Sequence, residues 1–166
     1  MKLQVASDFD CAPELLWDLF HDEEYERRLH QQTGVRTTVV KHVKEGETEQ
    51  RIIEVVNDTE LPRFVQKALG SRQLTYEQHS TLDRGSNTLS WTVLLPVMRD
   101  KVTVQGKTRV MTHGSGSRRT VDGEVSVRIP LVGGRVEKAI AERFQESFGR
   151  AANIVRDLVR ERGLQS

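Results

Sequence analysis

The histidines and the one cysteine are the residues of this sequence that could bind a metal ion or act as nucleophiles. They are Cys11, His21, His30, His42, His79 and His113. No two of them have the spacing that places metal ligands on one face of a helix, and no Cys/His cluster is present. The glycine pattern that surrounds a nucleophilic serine is also missing. We therefore predict no metal site, and we assign no residue as a catalytic nucleophile.

Three residues could act as general acids or bases if they faced a dry interior: Tyr76, Glu54 and Glu137. Glu137 is the unusual one, because it falls among the apolar residues of a predicted helix. Its simpler interpretation is a first-turn carboxylate that the helix dipole stabilises and that reaches solvent. The alternative is a carboxylate with a raised pKa that binds a ligand hydroxyl or accepts a proton at the mouth of a cavity.

Three other features have simple structural interpretations. The pair Gly133-Gly134 lacks the strand context and the third glycine of a dinucleotide site, so it is interpreted as the start of a helix and no cofactor is predicted. His79 lies on the polar side of its strand and is expected to be solvated. The basic segment SGSRR, residues 115–119, is interpreted as a solvated hairpin.

Charge and composition exclude several kinds of partner. Lys and Arg number 25 and Asp and Glu number 24, so the chain has no basic surface for nucleic acid. The sequence lacks both an apolar run long enough to span a membrane and a signal-peptide pattern. We expect a soluble, cytoplasmic protein of one domain, 1–166, as a monomer or dimer, whose contact with a membrane would be transient.

The elements that must position these residues begin with a strand and two helices. Leu3, Val5 and Phe9 alternate with polar residues, which predicts a half-buried strand that ends near Asp10. The segment CAPELLWDLF, 11–20, changes to a helical period, and HDEEYERRLHQQTG, 21–34, predicts a second short helix that ends at its glycine.

Six strands are predicted between residues 35 and 130, with hairpin-like turns between most of them. They are VRTTVVKHVK, ETEQRIIEVVN, RQLTYEQHSTLD, NTLSWTVLLPV, VTVQGKTRVMTH and SRRTVDGEVSVRIP. These strands predict an antiparallel and largely sequential sheet. Residues 60–70 have helical spacing and predict a short helical flap.

The last stretch, residues 130–159, predicts one long helix with a single wide apolar stripe. Its apolar residues are Val136, Ile140, Phe144, Phe148, Ala151, Ile154, Val155, Leu158 and Val159. About 30 residues at 1.5 Å each give a rod near 45 Å, long enough to cross a small domain. One face of the sheet is apolar and needs a cover, so we expect this helix to provide it.

Two segments resemble a known superfamily. CAPELLWDLFHDEEYERRL, 11–29, is similar to the region after the first strand of the START, polyketide cyclase and pollen-allergen (SRPBCC) proteins, and VRIPLVGGRVEKAIAERF, 127–144, resembles a bacterial branch of unassigned function. The resemblance covers the whole chain. It implies an α+β helix-grip fold, in which seven antiparallel strands and a long C-terminal helix enclose a hydrophobic cavity for lipids, sterols, polyketides or similar ligands.

The residues predicted to line that cavity share the inner face of the sheet or lie on the last helix. They are Tyr76, Gln78, Trp91, Val93, Thr108, Val110, Val125, Glu137, Phe144 and Phe148. Buried polar groups such as Gln78 and Thr108 need partners, either within the protein or on a ligand.

The leading hypothesis is a noncatalytic carrier or sensor for an apolar, lipid-like small molecule, with the flap and the last helix as its gate. One alternative is an enzyme similar to the polyketide cyclases and aromatases. Another is a protein-interaction module whose cavity is filled by its own side chains.

Overall fold

Seven antiparallel strands and four helices make up the structure, a computed structural model that describes residues 1–166. In chain order the elements are β1 (Lys2–Phe9), α1 (Pro13–Leu19), α2 (Glu23–Thr33), β2 (Val35–Glu45), β3 (Thr48–Glu60), α3 (Arg63–Leu69), β4 (Gln73–Asp83), β5 (Thr88–Leu94), β6 (Val102–His113), β7 (Gly116–Val127) and α4 (Gly133–Glu161). This order confirms the predicted one. No helix is long and apolar enough to cross a membrane.

The strands form one sheet in the order β1-β7-β6-β5-β4-β3-β2, and every neighbouring pair is antiparallel. Strands β2 to β7 follow one another, whereas β1 pairs with the last strand. The first two strands of the chain therefore lie at opposite edges of the sheet. Helices α1 and α2 carry the chain from one edge to the other, which explains why two helices interrupt the strands there.

Local sequence fixes the ends of these connecting helices. Pro13 is the first residue of α1, where its missing N–H costs no helical hydrogen bond. The side chain of Asp22 accepts a hydrogen bond from the backbone N–H of Glu24 at 2.9 Å and so caps the start of α2. Gly34 ends α2 with a φ of 73°, a left-handed conformation that favours glycine.

Two predicted strands are shorter in the structure than the sequence indicated. Strand β5 ends at Leu94, and Val97, the last residue of the predicted strand NTLSWTVLLPV, has half of its surface exposed. Pro96 has no N–H to donate to the neighbouring strand, so the sheet cannot continue through it. Strand β7 likewise ends at Val127, before Pro130. The long helix α4 begins only at Gly133.

Helix α4 covers the inner face of the sheet with two separate apolar clusters. Its first half packs in a cluster that includes Val93, Val125 and Ile140, together with the buried residues of α3. Its second half packs with α1, α2 and Val110 in the other cluster. Tyr76 and Leu89 touch both clusters, so they mark the boundary between them.

Candidate functional site

A cavity of about 210 Å³ lies at the boundary between the two apolar clusters. Its walls come from α1, α2, α4 and the inner face of strands β2 to β7, and 13 of the 22 lining residues are hydrophobic. Its nine polar lining residues are His21, Glu26, Thr37, Arg51, Gln78, Ser80, Thr108, Arg119 and Ser147. On the edge strand β2 the lining residue Val39 has 56% of its surface exposed, which indicates that the cavity opens to solvent beside this strand.

Five of the ten residues predicted to line a cavity do so. They are Tyr76, Gln78, Thr108, Phe144 and Phe148. The rings of Phe144 and Phe148 lie 6.4 Å apart between centroids, and Tyr76 lies 5.8 Å from Phe144. Strand parity thus places Tyr76, Gln78 and Thr108 on the sheet side of the cavity, and the helical stripe places Phe144 and Phe148 on the helix side.

Trp91 is part of the core and does not line the cavity. Its indole lies over Gly106 and Gly123, which face each other on neighbouring strands. A Cβ at Gly106 would come within 2.6 Å of the Trp91 ring, so the glycine makes room for the indole. Trp91 Nε1 donates a hydrogen bond to Thr108 Oγ1 at 3.2 Å. Trp91 therefore holds the hydroxyl of Thr108, a residue that lines the cavity, from within the neighbouring core.

Val93, Val110, Val125 and Glu137 also lie away from the cavity. The three valines are buried in the clusters on either side, because α4 packs directly against the sheet there. Glu137 accepts hydrogen bonds from the amino group of Met1 at 2.6 Å and from Val127 N–H at 3.1 Å. The hydrogen bond from Met1 holds the pKa of Glu137 below its usual value. This carboxylate is therefore a structural anion and not a base at a cavity mouth.

The predicted flap is present as α3, but it packs elsewhere. Leu61, Val65 and Leu69 are buried in the first cluster, and no residue between 60 and 70 lines the cavity. Glu54, the third acid–base candidate, is exposed on the outer face of β3. Neither feature borders the site.

Arg119 is the main residue that the sequence analysis missed. The segment 115–119 was interpreted as a solvated hairpin, yet Arg119 is only 5% exposed. Arg118 does reach the outer face, where it pairs with Asp8 at 2.6 Å. Because side chains alternate along a strand, Arg119 shares the inner face with Val121 and Val125. The parity of β7 could have identified it.

The guanidinium of Arg119 lies among aromatic rings. Its central carbon is 4.4 Å from the ring centroid of Phe20 and 5.7 Å from that of Phe148, and Nη2 donates to the carbonyl of Phe148 at 3.0 Å. Nε is buried without a hydrogen-bond partner. Burial lowers the pKa of Arg119 to about 10, so the side chain remains a cation at neutral pH.

Glu26 and His21 add two titratable groups at the cavity. Glu26 accepts a hydrogen bond from Thr37 Oγ1 at 2.6 Å, and burial raises the pKa of its carboxyl group. His21 Nδ1 donates to the carbonyl of Trp17 at 2.6 Å, and burial lowers its pKa. The imidazole is therefore neutral at pH 7, with Nε2 as an acceptor.

Two tyrosines, the buried Tyr25 and the partly buried Tyr76, complete the polar part of the cavity. Burial raises the pKa of both Tyr25 and Tyr76, so both hydroxyls are neutral. Neither hydroxyl has a hydrogen-bond partner among the protein groups that surround it, in contrast to the indole N–H groups of Trp17 and Trp91. The cavity thus combines apolar walls with hydrogen-bonding groups that the protein itself leaves unused.

A larger concavity of about 660 Å³ lies on the outer face of the sheet. It is open to solvent, and 11 of its 13 lining residues are not hydrophobic. A shallow polar surface of this kind binds small molecules less well than an apolar cavity with a few polar groups. No three His, Cys, Asp or Glu side chains are arranged to hold a metal ion.

Solved structures with a similar fold cover nearly the whole chain. A Thermus thermophilus protein, TTHA0849, is 15% identical with a TM-score of 0.67, over 95% of each chain. The Zhui aromatase/cyclase from Streptomyces sp. R1128 is 12% identical with a TM-score of 0.66, over 98% of this chain and 94% of the other. The protein CC1736 of Caulobacter crescentus is 13% identical with a TM-score of 0.58, over 95% of this chain and 97% of the other.

These likenesses, together with the element order, establish the α+β helix-grip fold. A comparison with curated protein sequences gives no match. A family model matches residues 4–159, and its description is a protein of unknown function, DUF2505. The chain therefore belongs to the DUF2505 family.

Proposed function

We propose that the protein binds an apolar small molecule in the cavity between the sheet and helices α2 and α4, without changing it chemically. The observation that carries this proposal is the cavity itself, which is bordered mainly by hydrophobic side chains and contains hydrogen-bonding groups that lack protein partners. A site of this composition gains free energy from each methylene that it removes from water, about 0.8 kcal/mol, and its polar groups orient the ligand.

The volume limits the size of the ligand. An apolar cavity of about 150 Å³ accepts benzene. At the same volume per atom, about 210 Å³ accepts roughly eight non-hydrogen atoms. The lipid-like ligand predicted from the sequence is therefore restricted to a short chain or a single ring in this conformation.

The opening beside β2 provides the route into the cavity. Thr37, Val39 and Arg51 line the cavity at this edge, whereas α3 does not border it. The gate was predicted at the flap and the last helix; we now propose that it lies between α2 and the edge of the sheet. Hydrogen exchange would detect it as amides of residues 35–40 that lose protection more readily than those of β6.

The first test is native mass spectrometry of the protein purified from its own source, followed by solvent extraction of what co-purifies. A stoichiometric small-molecule adduct is the expected result. Calorimetric titration with toluene then tests the cavity directly. A protein that carries no adduct and binds neither toluene nor any other single-ring probe would contradict the proposal.

A pair of variants places the binding in the cavity. Ala151→Leu adds three carbon atoms at a residue that lines the cavity, so toluene should no longer bind. Asn153→Leu introduces the same side chain at an exposed position two residues later in α4, and binding should remain. Equal toluene affinity in the two variants would show that the probe binds elsewhere.

An enzyme similar to the aromatases and cyclases is a second candidate. It is favoured by the titratable groups Glu26, His21 and Tyr76 at one cavity and by the structural likeness to Zhui aromatase/cyclase. Glu26→Gln and Tyr76→Phe would then abolish turnover of a single-ring polyketide-like substrate while its binding persists. The third alternative, a filled interaction module, has less support because about 210 Å³ remains open.

A further inference from the structure

Arg119 is a buried cation whose hydrogen-bond donors are only partly satisfied by the protein. A guanidinium has five N–H donors in a fixed planar arrangement. The structure gives Arg119 a single hydrogen bond, from Nη2 to the carbonyl of Phe148, and leaves Nε buried without a partner. Buried polar groups of native proteins are nearly always hydrogen-bonded, and buried charges are normally paired. This residue therefore has unused capacity for an anion.

No carboxylate of the protein supplies that anion. Arg119 forms no salt bridge. Glu26, the acidic residue that lines the cavity, accepts a hydrogen bond from Thr37, and Asp8 pairs with Arg118 on the outer face. The rings of Phe9, Phe20 and Phe148 surround the guanidinium at 4.4 to 6.0 Å and stabilise its charge through their faces. They supply no hydrogen-bond acceptors to its edge.

Arg119 also borders the cavity proposed to hold the ligand. A planar guanidinium matches a planar carboxylate through two parallel hydrogen bonds. One carboxylate also balances one buried positive charge, whereas the second charge of a phosphate would remain unpaired beside apolar walls. The rest of the ligand would contact those walls.

We infer that the ligand is a small monocarboxylate with an apolar body, held by an ion pair between its carboxylate and Arg119. This inference rests on the proposed function, since it names the chemical class that the same cavity accepts. Benzoate, an aromatic ring that bears one carboxylate, has nine non-hydrogen atoms and so lies at the upper limit of what about 210 Å³ accepts.

Benzoate and benzamide form a matched pair of probes, because they have the same shape and differ in charge. Calorimetric titration of the full chain should show benzoate binding at least about tenfold more tightly than benzamide, as a charged hydrogen-bonded pair requires. Phenyl phosphate tests a phosphate in place of the carboxylate and should bind more weakly than benzoate. Tighter binding of phenyl phosphate would overturn the assignment of a carboxylate.

Arg119→Met removes the charge and keeps much of the side-chain length, so benzoate should lose its advantage over benzamide. Arg156→Met is the control. Arg156 also lies over Phe9, at 5.3 Å, but it is exposed and does not line the cavity. The control variant loses the same charge and should keep the preference for benzoate.

A measurement on the unmodified protein keeps the inference testable if Arg119→Met does not fold. The Nε–H resonance of Arg119 should shift when benzoate is added and should stay in place with benzamide. Binding of toluene and benzamide without a preference for benzoate would refute the ion pair and leave the proposed function standing. Failure of all these probes to bind would contradict both.

Discussion

The substitution Gly106→Ala tests the packing of Trp91 against the glycine pair Gly106 and Gly123, next to the cavity. A Cβ at position 106 would lie 2.6 Å from the Trp91 ring and 2.5 Å from the carbonyl oxygen of Asp122, both too close for contact. Overpacking of this kind costs about 1–3 kcal/mol, and the loss of glycine freedom in the unfolded chain returns about 0.5–1 kcal/mol. The Asp122 carbonyl belongs to the backbone and cannot rotate away, so we take the upper part of the first range, about 2–3 kcal/mol, and expect a net loss of about 1–2.5 kcal/mol. For a domain of this size the melting temperature should fall by about 2–10 °C.

Gly149→Ala is the matched control, since it makes the same chemical change in the middle of α4. A Cβ there meets nothing within 4 Å, so the variant should be more stable by about 0.5–1 kcal/mol. Urea denaturation followed by circular dichroism measures both variants, and Trp91 fluorescence should change only in Gly106→Ala. If Gly106→Ala were as stable as Gly149→Ala, the packing of the indole on the glycine pair would be incorrect.

Three further substitutions test the titratable groups. Burial raises the pKa of Glu26, so its charged form destabilises the folded state above the unfolded pKa near 4.5. In urea denaturation at pH 7, Glu26→Gln should therefore be more stable than wild type. This difference should disappear below about pH 4, where the carboxyl group is protonated in both states. Tyr76→Phe removes a hydroxyl without a protein partner, so its melting temperature should match or exceed that of wild type; a clear decrease would reveal a missed hydrogen bond. The pKa of Glu137 is lowered by Met1, so Glu137→Gln should lose at most about 1 kcal/mol at pH 7, and this loss should disappear as the pH falls through the folded pKa.

The fold could be predicted from periodicity because each element has a strong and local pattern. The alternation in β1 and the apolar stripe of α4 both match the burial seen in the structure. The ends of β5 and β7 were less accurate, since the apolar residues Val97 and Ile129 continue the alternation after the hydrogen-bonded ladder has stopped. Pro96 and Pro130 were better indicators of where these strands end.

The site could be predicted only in part, because parity gives the face of a residue and not its position along the sheet. Val93 and Val125 share the inner face with Gln78 and Thr108, yet only the latter pair lies opposite the gap between the two clusters. The position of that gap depends on how α2 and α4 meet the sheet. These are contacts between distant parts of the chain that leave no local signal.

The error at Arg119 has a different reason. Its charge indicated an exposed residue, whereas its position in the alternating strand β7 indicated the inner face of the sheet. A charged residue in an alternating strand is normally placed in solvent, and its neighbour Arg118 follows that rule. The exception coincides with the cavity, where Glu26 has a raised pKa and Tyr25 and Tyr76 have unpaired hydroxyls. Burial disfavours the charged forms of Arg119 and Glu26, whereas the two apolar clusters on either side stabilise the fold. Groups that cost stability and gather at one cavity are typical of a binding site, because a ligand can supply the partners that the fold leaves out.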